Sequence, residues 1–110
     1  MRFGRRVKKP RYEILALERG LLPGGPVSVE VRLADGYRWG ASFYTPEDIR
    51  AILDRWRAAD GRSGLYFWTP GVIVIRETTR EAIVAVVEDL VTEGELELAF
   101  DRIGYGRGKA

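Results

Sequence analysis

The sequence predicts one α+β domain: a mostly antiparallel five-stranded sheet with two main helices on one face, in the order β-β-β-α-β-β-α, with a short C-terminal helix as an option. Three observations carry this expectation. Apolar side chains alternate with period two on either side of Asp35-Gly36. Two later segments repeat apolar residues at helical spacing behind helix-start signals. A chain of 110 residues, 45% of them hydrophobic, fills one core and not two.

Tyr12 to Glu18 reads as the first strand, and the stretch Leu22-Pro23-Gly24-Gly25-Pro26 breaks the chain after it. In the second strand Val27, Val29, Val31 and Leu33 face one way, and Ser28, Glu30 and Arg32 the other. Tyr37, Trp39, Ala41 and Phe43 share a face of the third. A two-residue loop at Asp35-Gly36 would set Arg32 against Trp39 and mix polar with apolar faces. A three-residue loop, with Gly36 at positive φ, pairs Leu33 with Tyr37, Val31 with Trp39 and Val29 with Ala41. Burial of a single apolar face therefore selects the bulged turn.

Thr45-Pro46-Glu47-Asp48 is a helix start, with Thr45 as N-cap, proline at the first helical position and acids facing the positive end of the dipole. Ile49, Ile52, Leu53 and Trp56 form its apolar stripe. Tyr66-Phe67-Trp68 and Val72 to Ile75 are expected as short strands, at least one of them central, joined through Thr69-Pro70-Gly71 by a loose connection. The second helix is expected from Thr78 or Thr79, with Thr78 and Glu81 spaced as a capping box, and Gly94 placed to end it. Glu95 to Ile103 fits either a helix or a strand, and its Glu and Leu content favours a helical turn.

Divided along the chain, the charge is uneven. Residues 1–11 hold Arg2, Arg5, Arg6, Lys8, Lys9 and Arg11 and no acid. Arg102, Arg107 and Lys109 add positive charge at the other end, while every Asp and Glu lies between residues 12 and 101. The expected organisation is thus a basic mobile extension at 1–11, a net acidic domain at 12–103, and a Gly/Arg-rich mobile tail at 104–110. No apolar run approaches the roughly 20 residues that span a bilayer, and no signal-peptide pattern follows the basic start, so a cytoplasmic protein without membrane contact is expected.

Absent residue types narrow the chemistry further. The chain has no Cys and no His, and its three Lys (Lys8, Lys9 and Lys109) all lie in the end segments. Thiolate and imidazole catalysis, the usual triads, and Cys- or His-based metal sites are excluded, as is a desolvated lysine in the body. No phosphate-binding glycine motif stands between a strand and a helix. No catalytic residue, metal or cofactor is expected, and the reading leans away from an enzyme. Among carboxylates only Glu30, Glu47 and Asp48 merit consideration, and solvated-face alternation and the helix dipole account for them.

The register places Arg32 directly opposite Arg38 on the polar face, and opposed like charges destabilise a sheet. Compensation is expected either from a neighbouring carboxylate, such as Glu30 diagonally or one on the first strand, or from a bound anion or a partner's acid. Most aromatics are expected in the core, with Tyr44 and one of Tyr66 or Trp68 exposed. The leading expectation is a binding or regulatory module that engages another protein, including another copy of itself. The alternative is a nucleic-acid-associated protein acting through its basic ends, and the third a small-ligand or anion-binding protein or an enzyme using carboxylates.

Overall fold

The computed structural model describes residues 12–19, 25–60 and 65–105. Five strands and three helices follow in the order β1 (Tyr12–Arg19), β2 (Val27–Leu33), β3 (Tyr37–Tyr44), α1 (Pro46–Asp60), β4 (Val72–Val74), α2 (Arg80–Glu93), α3 (Leu96–Ala99) and β5 (Asp101–Tyr105). The fold is α+β, as expected, and the sheet is antiparallel except where β4 runs parallel to β3. Basic residues Arg2, Arg5, Arg6, Lys8, Lys9 and Arg11 lie outside the described residues, as does 106–110.

One-sided burial sets the β2–β3 register. Val31 pairs with Trp39, Val29 with Ala41 and Arg32 with Arg38. The turn closes with the Gly36 N–H donating to the Leu33 carbonyl at 2.9 Å, and Asp35 Oδ1 accepts the Tyr37 N–H at 3.0 Å. Gly36 has φ 92, the positive value the bulged turn demands and side-chain-bearing residues resist. On the other edge, β1 carries a bulge between Ile14 and Ala16, which shifts the pairing from Ile14–Val31 to Ala16–Glu30.

The core forms on the face bearing Val27, Val29, Val31, Ala41 and Phe43, closed by Ile83 and Val87 of α2, Leu96 of α3, Phe100 and Ile75. Val31, Phe43, Ile83 and Val87 are wholly shielded from solvent, and burying each such side chain contributes about 1.5–3 kcal/mol. α2 is delimited by local chemistry. Thr79, not Thr78, is its N-cap, and its side chain accepts the Ala82 N–H at 3.1 Å. The Thr78 hydroxyl and carbonyl instead accept from the Arg19 guanidinium at 3.2 and 3.1 Å. Gly94, at φ 73, ends the helix, and the next N–H, of Glu95, reaches the Leu90 carbonyl at 2.8 Å.

Among the described residues, none of α1 joins that core cluster. Its start is a reciprocal cap: Thr45 Oγ1 accepts the Asp48 N–H at 3.0 Å, and Asp48 Oδ2 accepts the Thr45 N–H at 2.9 Å. Asp48 is consequently buried, so its place in the sequence reflects a built cap as well as the helix dipole. The apolar stripe of α1 meets the sheet through Trp56, whose ring is 5.8 Å from that of Phe67; Phe67 in turn lies 4.9 Å from the buried Tyr44.

Two expectations need correction. Tyr66-Phe67-Trp68 is not a strand: Phe67 turns inward onto Tyr44 and Trp56 while its two neighbours point to solvent, so ring packing replaces a ladder. The fifth strand is β5, formed by residues expected to be helical turn and mobile tail, and it runs through Tyr105, past the domain end expected at 103. β3 makes this possible by changing partners along one edge. Its first half, Tyr37 to Gly40, pairs with β5, and its last three residues pair with β4. At the changeover the Ser42 N–H donates to the Gly71 carbonyl at 2.7 Å. The ambiguous segment before β5 divides, with Leu96–Ala99 helical and Leu96 and Phe100 buried.

Candidate functional site

Three surfaces separate once the fold is in place. On the sheet face away from the core, Arg32 and Arg38 stand opposite each other, and each is answered by a carboxylate from the sheet itself. Arg32 meets Glu13, its ladder partner on β1, at 2.5 Å, and Arg38 meets Glu30 diagonally at 2.6 Å. Of the two sources of compensation expected, a neighbouring carboxylate or a bound anion, the sheet supplies the first for each arginine. The second pair is the more enclosed, with 15% of the Arg38 side chain and 25% of that of Glu30 exposed. The Arg38 guanidinium lies against Gly104 of β5, and its buried Nε has no hydrogen-bond partner.

Beside these pairs, small side chains at Ala16, Ser28, Gly40 and Ser42 leave an open groove of about 320 Å³, with Glu18, Glu30 and Asp101 contributing carboxylates. It collects negative charge, but among the described residues no group of three or more His, Cys, Asp or Glu is placed to hold a metal ion. Glu30 is held by Arg38, Asp48 closes the α1 cap, and Glu47 is exposed in the first turn of α1.

The second surface lies around the C-terminal end of β3. Tyr44, expected to be exposed, is buried, whereas Tyr66 and Trp68 are both exposed, at 74% and 73%. Leu65 is 87% exposed and Trp56 39%. Val74, the ladder neighbour of Tyr44 on β4, adds an apolar side chain at 58% exposure. The signal that could have found this surface was the alternation Tyr66-Phe67-Trp68 itself, where one ring can anchor the segment and the flanking two must then point away. Burial, and then the Asp48 carboxylate, raise the Tyr44 phenol above its ordinary pKa.

The third surface is the hairpin end of the sheet. Tyr37 and Tyr105 meet edge to face with centroids 4.8 Å apart, and the Arg102 guanidinium sits 4.9 Å from the centre of the Tyr37 ring. Near the same end, burial and then the Glu88 carboxylate raise the Tyr12 phenol. No helix among the described residues is long and apolar enough to cross a membrane. No family model matches the chain, and neither a curated protein nor a solved structure matches it.

Proposed function

We propose that this chain is a protein-binding module whose contact surface is the apolar patch at the C-terminal end of β3, and that a second copy of the chain is a partner it takes. The observation that carries this reading is the exposure of Leu65, Tyr66 and Trp68 around Phe67, whose ring packs on the exposed Trp56 and on Tyr44, the ladder neighbour of the exposed Val74. Exposed apolar side chains gathered in one place mark interaction sites. Tyr and Trp offer large contact areas for few rotatable bonds and dominate interface hot spots. The catalytic inventory points the same way, because a body without Cys, His or Lys has few groups to offer a reacting substrate. Basic end segments around a net acidic middle also allow copies of one chain to attract each other.

Light scattering across protein concentration tests the reading, comparing the wild type with the Tyr66→Ser/Trp68→Ser variant. The mass of the wild type should rise with concentration while the variant stays monomeric, with the circular dichroism of both unchanged because neither side chain is buried. A wild type that remains monomeric into the millimolar range removes self-association from the proposal. A variant that associates as strongly as the wild type removes the patch.

A further inference from the structure

Among the described residues, β1, β4 and β5 each present an outer edge, and the three edges are finished differently. β1 carries the bulge between Ile14 and Ala16 and the charges of Glu13, Glu18 and Arg19, and β5 carries Asp101 and Arg102. Bulges and charges are the devices that keep an edge from pairing with another chain. β4, Val72-Ile73-Val74, has neither. Its ladder to β3 shows which backbone groups it leaves over. The Gly71 carbonyl accepts the Ser42 N–H at 2.7 Å and the Ile75 N–H donates to the Tyr44 carbonyl at 2.9 Å, so residues 71, 73 and 75 turn toward β3. Alternation then turns the N–H and C=O of Val72 and Val74 outward.

Ile73 and Ile75 face the core, whereas Val72 and Val74 share the opposite face with their ladder neighbours Ser42 and Tyr44. That face also carries Phe67, packed on Tyr44, and with it the exposed Leu65, Tyr66 and Trp68. On a scale of about 150–250 Å² for a large aromatic side chain, these three with Val74 and Trp56 expose on the order of 600 Å². Two copies bring together about 1,200 Å², the size at which stable interfaces begin.

We propose that two copies of the chain join edge to edge through β4, about a two-fold axis at Ile73, so that Val72 of each copy pairs with Val74 of the other. A two-fold axis at a strand edge imposes the antiparallel arrangement, and each such pair exchanges two backbone hydrogen bonds. An axis at Val72 would set Val74 against Pro70, and one at Val74 would set Val72 against Arg76, so apolar matching selects Ile73. Pro70, the next outward position, has no N–H and ends the ladder. The same register brings Arg76 of one copy opposite Pro70 of the other, beside Gly71 and the Asp101 carboxylate next to it. Arg76 and Asp101 are both exposed, and Asp101 lines the groove on the face that Val72 and Val74 share, so the two-fold axis forms an Arg76–Asp101 pair on each side. This mode of pairing rests on the self-association proposed above and adds to it the edge used and its register.

Light scattering of the full chain, with amide hydrogen exchange read residue by residue, tests the proposal. Between dilute and concentrated wild type, exchange at Val72 and Val74 should slow by about tenfold or more, while Ile73 and Ile75, turned toward β3, keep their protection. Val74→Pro removes an outward N–H from each copy and leaves the ladder to β3 intact, so the dissociation constant should rise on the order of tenfold or more. Val74→Thr keeps that N–H and should associate as the wild type does. Arg76→Asp and Asp101→Arg should each weaken association and the double variant should restore it, a recovery that loss of folding cannot produce. If the wild type associates but exchange at Val72 and Val74 is unchanged, or Val74→Pro associates equally well, the β4 edge is overturned and the aromatic patch stands alone. A double variant that recovers nothing overturns the register. A wild type that stays monomeric into the millimolar range overturns this pairing together with the self-association it rests on, and leaves the edge to a strand of another protein.

Discussion

Replacing Glu30 by Gln removes the charge that answers Arg38 and leaves the shape nearly unchanged. Arg38 then carries an uncompensated cation, 85% enclosed by the exposure of its side chain, opposite Arg32 in the ladder and with its Nε already lacking a partner. Breaking a buried ion pair in this way costs about 3–5 kcal/mol. Partial exposure admits water, so about 2–3 kcal/mol is expected here. For a domain of this size that lowers the unfolding midpoint by roughly 10–20 °C. The companion change Glu13→Gln provides the contrast. Its carboxylate is 59% exposed, so at most about 1 kcal/mol is expected, fading as salt is raised. Thermal and urea unfolding followed by circular dichroism, at low and high salt, measures both. Adding Arg38→Met to Glu30→Gln should restore most of the loss, because it removes the stranded charge. The reasoning is refuted if the two glutamine variants lose equal stability, or if Arg38→Met restores nothing.

Two glycines with similar backbone should respond differently to alanine. At Gly94 the added methyl meets open space, so only its positive φ is penalised, at about 1 kcal/mol, whereas at Gly36 it would come within 2.9 Å of the Tyr105 ring and the loss should reach about 2 kcal/mol or more. Urea midpoints decide the order, and a Gly94→Ala variant as unstable as Gly36→Ala counts against it. The raised Tyr44 pKa makes the folded state hold its proton more tightly than the unfolded state. Its stabilisation is therefore complete below about pH 10 and is lost as pH rises through the folded value. Unfolding midpoints from about pH 8 to 11 should fall less in Tyr44→Phe than in the wild type; parallel curves would argue against the assignment.

Where the pattern was local, or one face had to be buried, the residues could be read directly. The β2–β3 register follows because a one-residue slip would expose Val29 and Val31, and the same register set Arg32 against Arg38 and pointed to Glu30 as one compensating carboxylate, while Glu13 was identified only by the structure. Thr45 and Asp48 announce α1 because the cap closes within one turn. The misread segments are those whose conformation depends on distant partners. Tyr66-Phe67-Trp68 has strand-forming side chains, but Phe67 is held by Tyr44 and Trp56. β5 contains Gly104 and an Arg, a poor strand by propensity, yet it pairs because the first half of β3 offers an open ladder more than 60 positions earlier in the chain.

The sequence by itself determined a single α+β domain, the bulged hairpin at Gly36, the absence of Cys and His chemistry, and a net acidic middle between basic segments. Those properties depend on composition, period and nearest neighbours. Only the tertiary structure decided that β3 divides its edge between β4 and β5, and hence that the chain enters β1 and leaves β5 at the same end of the sheet. Strand order is chosen by which ladders remain open and which apolar faces still need cover after the local elements form, and nearest-neighbour sequence does not encode it.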